Sequence, residues 1–208
     1  MLVVRYQPGP LTLPLVAYLT IQENTMSTGL SLVSELERLA SALGGAGEPT
    51  EASQFSLAAV AERIAKSLGV RADEVAILNV SHRWRHLHFL VPEALKNVGY
   101  IPLSSNSALA ARTARESRPE IVNNFSAVRH ATVFEGIKVG ADTVEAIQKI
   151  ISAPILVDGK VVGVIQVCRK GSQAPHSGLD FTPDDLGRVL ALCKPLGKLL
   201  QHFCAKKE

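Results

Sequence analysis

The stretch Ile150–Lys170, IISAPILVDGKVVGVIQVCRK, restricts the fold more than any other part of the 208-residue chain. Asp158-Gly159 stands between two runs rich in β-branched residues. That dipeptide accepts the positive φ angles of a two-residue hairpin turn at little cost. Two antiparallel strands are therefore expected here. A second hairpin reads upstream. Glu74–Val80 (EVAILNV) has strand length and content, Ser81–Arg83 turns, and Trp84–Val91 (WRHLHFLV) alternates. Arg85, Leu87, Phe89 and Val91 fall on one face of that strand, and Trp84, His86, His88 and Leu90 on the other. Tyr100–Leu103 and Glu120–Asn123 read as shorter strands.

Helical spacing brackets these strands. Leu32/Val33, Leu36, Leu39/Ala40 and Leu43 recur at helical intervals before Gly44, Gly45, Gly47 and Pro49. A second helix reads across Leu57, Val60, Ala61, Ile64, Ala65 and Leu68, with Gly69 as its stop. A third covers Ser105–Ser117, with Ser105 or Ser107 as the cap and Arg118-Pro119 as the end. Asn124–Gly140 reads as loop with a helical turn near Val133–Ile137. Asp142-Thr-Val-Glu145 has the form of a capping box and predicts a short helix over Asp142–Lys149. After a polar loop over Gly171–Asp180, a long helix begins near Thr182 or Pro183, with Asp184 and Asp185 in its first turn. Pro195 predicts a kink near Ala191–Pro195, or two helical pieces meeting there. Two hairpins with helices at both ends define an α+β fold. That order speaks against a doubly wound sheet, and a Rossmann reading fails because no glycine-rich phosphate loop follows the first strand.

With 47% apolar and 20% charged residues, the chain can bury a sizeable core. Its net charge of +3, from 22 basic and 19 acidic side chains, is too balanced for a nucleic-acid partner. Leu11–Ile21 is apolar but too short to span a bilayer, and Pro14 interrupts it, so no membrane partner is expected. Residues 1–26 read as an N-terminal extension, either upstream of a start at Met26 or a strand-like arm that packs on a partner. Residues 27–208 read as a single domain. Three cysteines without metal-like spacing point to a reducing, cytoplasmic setting.

The candidates for chemistry are few. His86 and His88 share a strand face, and His82 has the same parity, yet no acidic residue has an obvious local relation to them. The reading is exposed imidazoles and no metal. Cys193 and Cys204 fall at apolar helical positions about 16 Å apart along a helix, too far for a disulfide. With Cys168, they read as buried structural thiols. No catalytic triad or carboxylate pair stands out.

Three segments carry a family resemblance that covers Phe55–Phe203. Ser107–Asn124 (SALAARTARESRPEIVNN), the hairpin Ser152–Lys170 and Phe181-Thr-Pro-Asp-Asp185 resemble the corresponding parts of GAF domains. The resemblance implies a GAF/PAS-like fold: a central antiparallel sheet of about six strands, terminal helices on one face and a ligand cavity on the other. It implies a small-molecule-binding sensory or regulatory domain, homodimeric and active in signalling, with a signalling protein as partner, and it leaves enzyme activity open. The ligand is not specified, and no cofactor is assigned. The alternatives are a thiol-dependent reductase on the same scaffold, since some free-methionine-sulfoxide reductases use it, and a dimerisation module without a ligand.

By the same resemblance, Gln166 and Val164 face the cavity, as do Ala76 and Leu78 on the first strand. Thr143 lies on the capping helix and Phe134 closes the space. The cavity is thus expected between the Gln166 strand face and the Asp142–Lys149 helix. Of the N-K-x-F-x-x-x-D-E set found in cyclic-nucleotide-binding members, Lys170, Phe181 and Asp185 match, and Lys170–Asp185 is the implied structural ion pair. Arg169 and Leu186 occupy the asparagine and glutamate positions, which speaks against cyclic-nucleotide binding. A homodimer is expected through the terminal helices. Leu186, Val189/Leu190, Cys193, Leu196, Leu200 and Phe203 recur at close to 3.5 residues, and Leu192 and Leu199 add apolar surface outside that seam.

Overall fold

Asp158 and Gly159 take φ angles of 49° and 75°, and the turn they make joins two twelve-residue strands. These strands are the middle of one antiparallel sheet in the computed structural model, which describes residues 32–42, 56–97, 99–125 and 145–205. The sheet comprises β1 (Val75–Ser81), β2 (His86–Val91), β3 (Ile101–Pro102), β4 (Glu120–Val122), β5 (Ala146–Val157) and β6 (Lys160–Gly171), in the order β3-β2-β1-β6-β5-β4. Among the described residues four α-helices accompany it: α1 (32–42), α2 (Leu57–Leu68), α3 (Leu109–Glu116) and α4 (Pro183–Ala205). Ser56 caps α2 by accepting from the Ala59 N–H, and Gly69 ends it in the left-handed region at φ 63°. The expectations for residues 1–26, Val133–Ile137, Phe134 and Thr143 lie outside the described residues.

The strand alternation sorts the core into two faces. Val75, Ile77, Ile151, Ala153, Ile155, Ile165 and Val167 pack with α1, α2 and α4. Ala76, Leu78, Val80, Leu87, Phe89 and Val164 pack on the other side with Ala110 and Ala111 of α3. The α+β architecture read from the sequence is therefore the observed one.

Three bulges correct the detail. Ile77 pairs with Val91 while Leu78 pairs with Phe89, so Leu90 is the extra residue and Val91 turns to the terminal-helix face, away from Leu87 and Phe89. On β6, Ile155 pairs with Gly163 but Leu156 with Val161. Val162 is the extra residue there, and it packs towards the helices while Val161 joins the α3 side, the reverse of simple alternation. The third bulge lies at Gln148. Of the helix expected over Asp142–Lys149, the part within the described residues is instead the start of β5 from Ala146, with Ile147 and Lys149 paired to β6. A β-branched run with a partner strand outweighs a local capping signal. Trp84 and Arg85 belong to the β1–β2 turn, with Arg85 at φ 53°, not to the strand.

The long helix α4 is one element with Pro195 inside it, not two pieces. It starts on a reciprocal cap, in which the Asp185 carboxylate accepts from the Thr182 N–H and the Thr182 hydroxyl accepts from the Asp185 N–H. Leu192, Leu196, Leu199 and Leu200 are all buried within the same chain. The surplus apolar surface expected at Leu192 and Leu199 is therefore already covered by the protein's own sheet and helices.

Candidate functional site

The sheet face turned away from α1, α2 and α4 carries the residues expected to line a ligand site. Ala76 pairs with Gln166 and Leu78 with Val164 across β1 and β6, which sets the four side chains side by side on that face. All four are buried. The face is apolar except at one point, where three polar side chains meet. Gln166 Nε2 donates to Ser152 Oγ at 3.2 Å, Ser152 Oγ lies 2.7 Å from Thr113 Oγ1, and Thr113 donates to the Leu109 carbonyl at 3.0 Å. If each hydroxyl gives its single proton onward, the chain runs in one direction from β6 through β5 to α3 and both hydroxyl protons are used. The Gln166 carboxamide oxygen accepts no hydrogen bond from the described residues, so the face keeps one unused acceptor.

Thr113 and Ser152 were not among the residues singled out by sequence. Their signal was present. Ser152 interrupts a run of branched apolar residues, and Thr113 sits one helical turn after Leu109 on the buried side of α3. Neither is informative until pairing places β5 beside β6.

The implied Lys170–Asp185 ion pair is not the one formed. Lys170 Nζ binds Asp73 Oδ2 at 2.8 Å, and Asp185 pairs with Arg188 while capping α4. The register of β6 beside the Ala72–Glu74 turn brings Asp73 to Lys170, and the capping role directs the Asp185 carboxylate back to Thr182. Burial pushes the Asp73 carboxyl up, but the hydrogen bond and charge of Lys170, with Arg71, hold it below the usual carboxylate range. Arg169 donates to the Gly69 carbonyl at the end of α2 and stacks 4.7 Å over the Phe181 ring. The Asn123 carboxamide clasps the Phe181 backbone, accepting from its N–H at 2.9 Å and donating to its carbonyl at 3.0 Å. These contacts give the whole Arg169–Asp185 set structural work: they seat the start of α4 against β6, β4 and the end of α2.

Burial pushes the Cys193 thiol up to about 12 and the Cys168 thiol further in the same direction. A protonated, enclosed thiol is a poor nucleophile. His82 Nε2 is taken by the Val161 carbonyl at 2.9 Å, and His86 and His88 meet edge to face at 6.1 Å. Among the described residues no group of three or more His, Cys, Asp or Glu side chains is placed to hold a metal. No helix among them is long and apolar enough to cross a membrane.

The fold and this two-faced sheet define a class, and the comparison with protein families agrees: the GAF domain model matches residues 56–200, and the chain belongs to that family. No curated protein sequence matches it. Among solved structures, the GAF domain of a phosphoenolpyruvate-protein phosphotransferase from Acinetobacter is 19% identical, with a TM-score of 0.61 over 88% of this chain and 96% of that one. The corresponding GAF domain from Coxiella burnetii is 12% identical, with a TM-score of 0.53 over 86% and 97%. A free methionine-R-sulfoxide reductase from Neisseria meningitidis, solved with its substrate, is 17% identical, with a TM-score of 0.52 over 82% and 89%. At these identities the likeness is one of fold.

Proposed function

We propose that the protein is a sensory or regulatory GAF domain that binds a small organic molecule on its Gln166 face, in a cytoplasmic setting, and signals as a homodimer to a protein partner. The observation that carries this reading is the spare Gln166 carboxamide oxygen in an otherwise apolar wall of Ala76, Leu78 and Val164. A mostly apolar surface with one fixed polar group suits an organic ligand that brings a hydrogen-bond donor. Phe134 and Thr143 complete the proposed site. The reductase reading is disfavoured by Cys168 and Cys193, whose thiols are enclosed and held protonated.

Native mass spectrometry of the purified protein tests the binding function. The expected spectrum shows a small-molecule adduct that leaves on denaturation and is absent from Gln166→Leu. A bare chain mass under conditions that keep the fold would reject it. The same spectra report whether the species is a dimer.

A further inference from the structure

The sheet face opposite Gln166 carries a cleft that the reading above does not use. Along β1 the residues on the terminal-helix side run Val75, Ile77, Asn79, Ser81, so this face turns from apolar to polar halfway along the strand. Its neighbour β2 presents His86 and His88 there, where Asn79 pairs with His88 and Ser81 with His86. Between these residues and the first turn of α2 lies a cleft of about 940 Å³. Its volume is in the range that holds small-molecule ligands.

The lining has a specific chemistry. Trp84 and Tyr100 are 66% and 65% exposed, an unusual state for two large aromatic side chains beside one cleft. The His86 ring packs 4.2 Å from the Tyr100 ring at a tilt of 43°, and Arg83 lies 5.0 Å over Trp84, so both aromatic side chains are braced by a neighbour. The Asn79 carboxamide makes no hydrogen bond with the described residues, although its backbone is paired on both sides. It therefore offers an unused donor pair and an unused acceptor. The cleft's two opposite charges, Glu93 and Lys96, neutralise each other at 2.7 Å. Ring walls and one free carboxamide suit a planar polar ring, while the lining carboxylate and ammonium group cancel and the Arg83 guanidinium is engaged on the Trp84 face.

We infer that this cleft binds a planar, uncharged heterocycle, stacked on the Tyr100–His86 pair, whose adjacent donor and acceptor meet the Asn79 carboxamide. Stacking on an aromatic side chain tolerates many ring systems, and a carboxamide reads a donor–acceptor edge. This site is separate from the Gln166 face, because the sheet lies between them. It stands or falls independently of the proposed ligand there.

Trp84 is the chain's only tryptophan, so its emission reports on this cleft. The full chain is titrated with adenosine, guanosine and riboflavin, in parallel with calorimetry. At least one is expected to bind saturably with a change in Trp84 emission. Tyr100→Ala, at an exposed position, is expected to weaken that binding by about tenfold. Asn79→Ala is expected to weaken it as well, whereas Gln166→Leu leaves it unchanged. The inference fails if none of the three binds saturably, if Tyr100→Ala binds as well as the parent chain, or if Gln166→Leu abolishes the response.

Discussion

Single side chains make the most exposed claims about this protein. In the folded chain Cys193 holds its proton up to about pH 12, whereas an unperturbed thiol titrates near 9.0. Above pH 9 the unfolded chain therefore binds fewer protons than the folded one. The stabilisation is complete below that pH and is lost as pH rises towards the folded value. Cys168 shifts in the same direction. Urea denaturation is expected to show falling stability above about pH 9, with a smaller fall in Cys193→Ala. In a Cys204→Ser background, neither remaining thiol is expected to react with a disulfide reagent until the chain unfolds. Rapid labelling of the native protein would restore the reductase reading. The Thr113–Ser152–Gln166 chain makes a second claim at this scale. Ser152→Ala removes its middle member and leaves two buried polar groups short of a partner, at an expected cost of about 1–3 kcal/mol in denaturant unfolding.

At the scale of elements, the seating of α4 depends on backbone proximity. A Cβ at Gly197 would stand 2.7 Å from Val157 Cγ2 and 3.1 Å from the Leu156 carbonyl oxygen. A Cβ at Gly163 would stand 2.6 Å from the Leu78 carbonyl oxygen and 2.7 Å from Leu200 Cδ1. Ten residues before Gly197 in the same helix, Gly187 has nothing within 4 Å of that position. Alanine is the better helix former by roughly 1 kcal/mol, so Gly187→Ala is expected to stabilise the protein by about that amount. Gly197→Ala receives the same propensity gain but has to push β5 away, and overpacking costs typically about 1–3 kcal/mol. The two substitutions are expected to move the thermal midpoint in opposite directions. A rise in both would show that α4 is less closely packed on β5 than described.

For the whole molecule, the question is what the terminal helices leave over for a second copy. Leu196 is fully buried in its own chain, so Leu196→Glu would unfold the protomer and report nothing about assembly. The exposed part of α4 is a narrower strip that includes Leu190, at 39% exposure, Gly187 and Ala191. A homodimer through these helices has to use that strip. Leu190→Glu is therefore expected to convert a dimer into a folded monomer, read by light scattering together with circular dichroism. A parent chain that is monomeric at micromolar concentration, or a Leu190→Glu chain that stays dimeric, would place the interface elsewhere.

Much of this architecture was legible from local chemistry. The Asp158-Gly159 turn, the 3.6-residue apolar periodicity of α2 with its glycine stop and the two hairpins need only neighbouring residues to be read, because turn geometry and amphipathic spacing are local properties. The Gln166 face was legible for the same reason wherever alternation holds without interruption, as it does from Val164 to Gln166. What only the tertiary structure decided was everything that depends on a partner strand. The three bulges depend on how β2 aligns with β1 and β5 with β6 over their whole lengths, and one extra residue reverses the face of its neighbours, as at Val161 and Val162. The start of β5 followed from pairing with β6, which overrode the helix that the preceding capping signal predicted through Lys149. Lys170 met Asp73 across 97 positions of sequence, a choice that no spacing rule contains. The surplus at Leu192 and Leu199 disappeared because a helix can be apolar on several sides when sheet and helices of its own chain enclose it, and sequence periodicity cannot distinguish that enclosure from an interface with another chain.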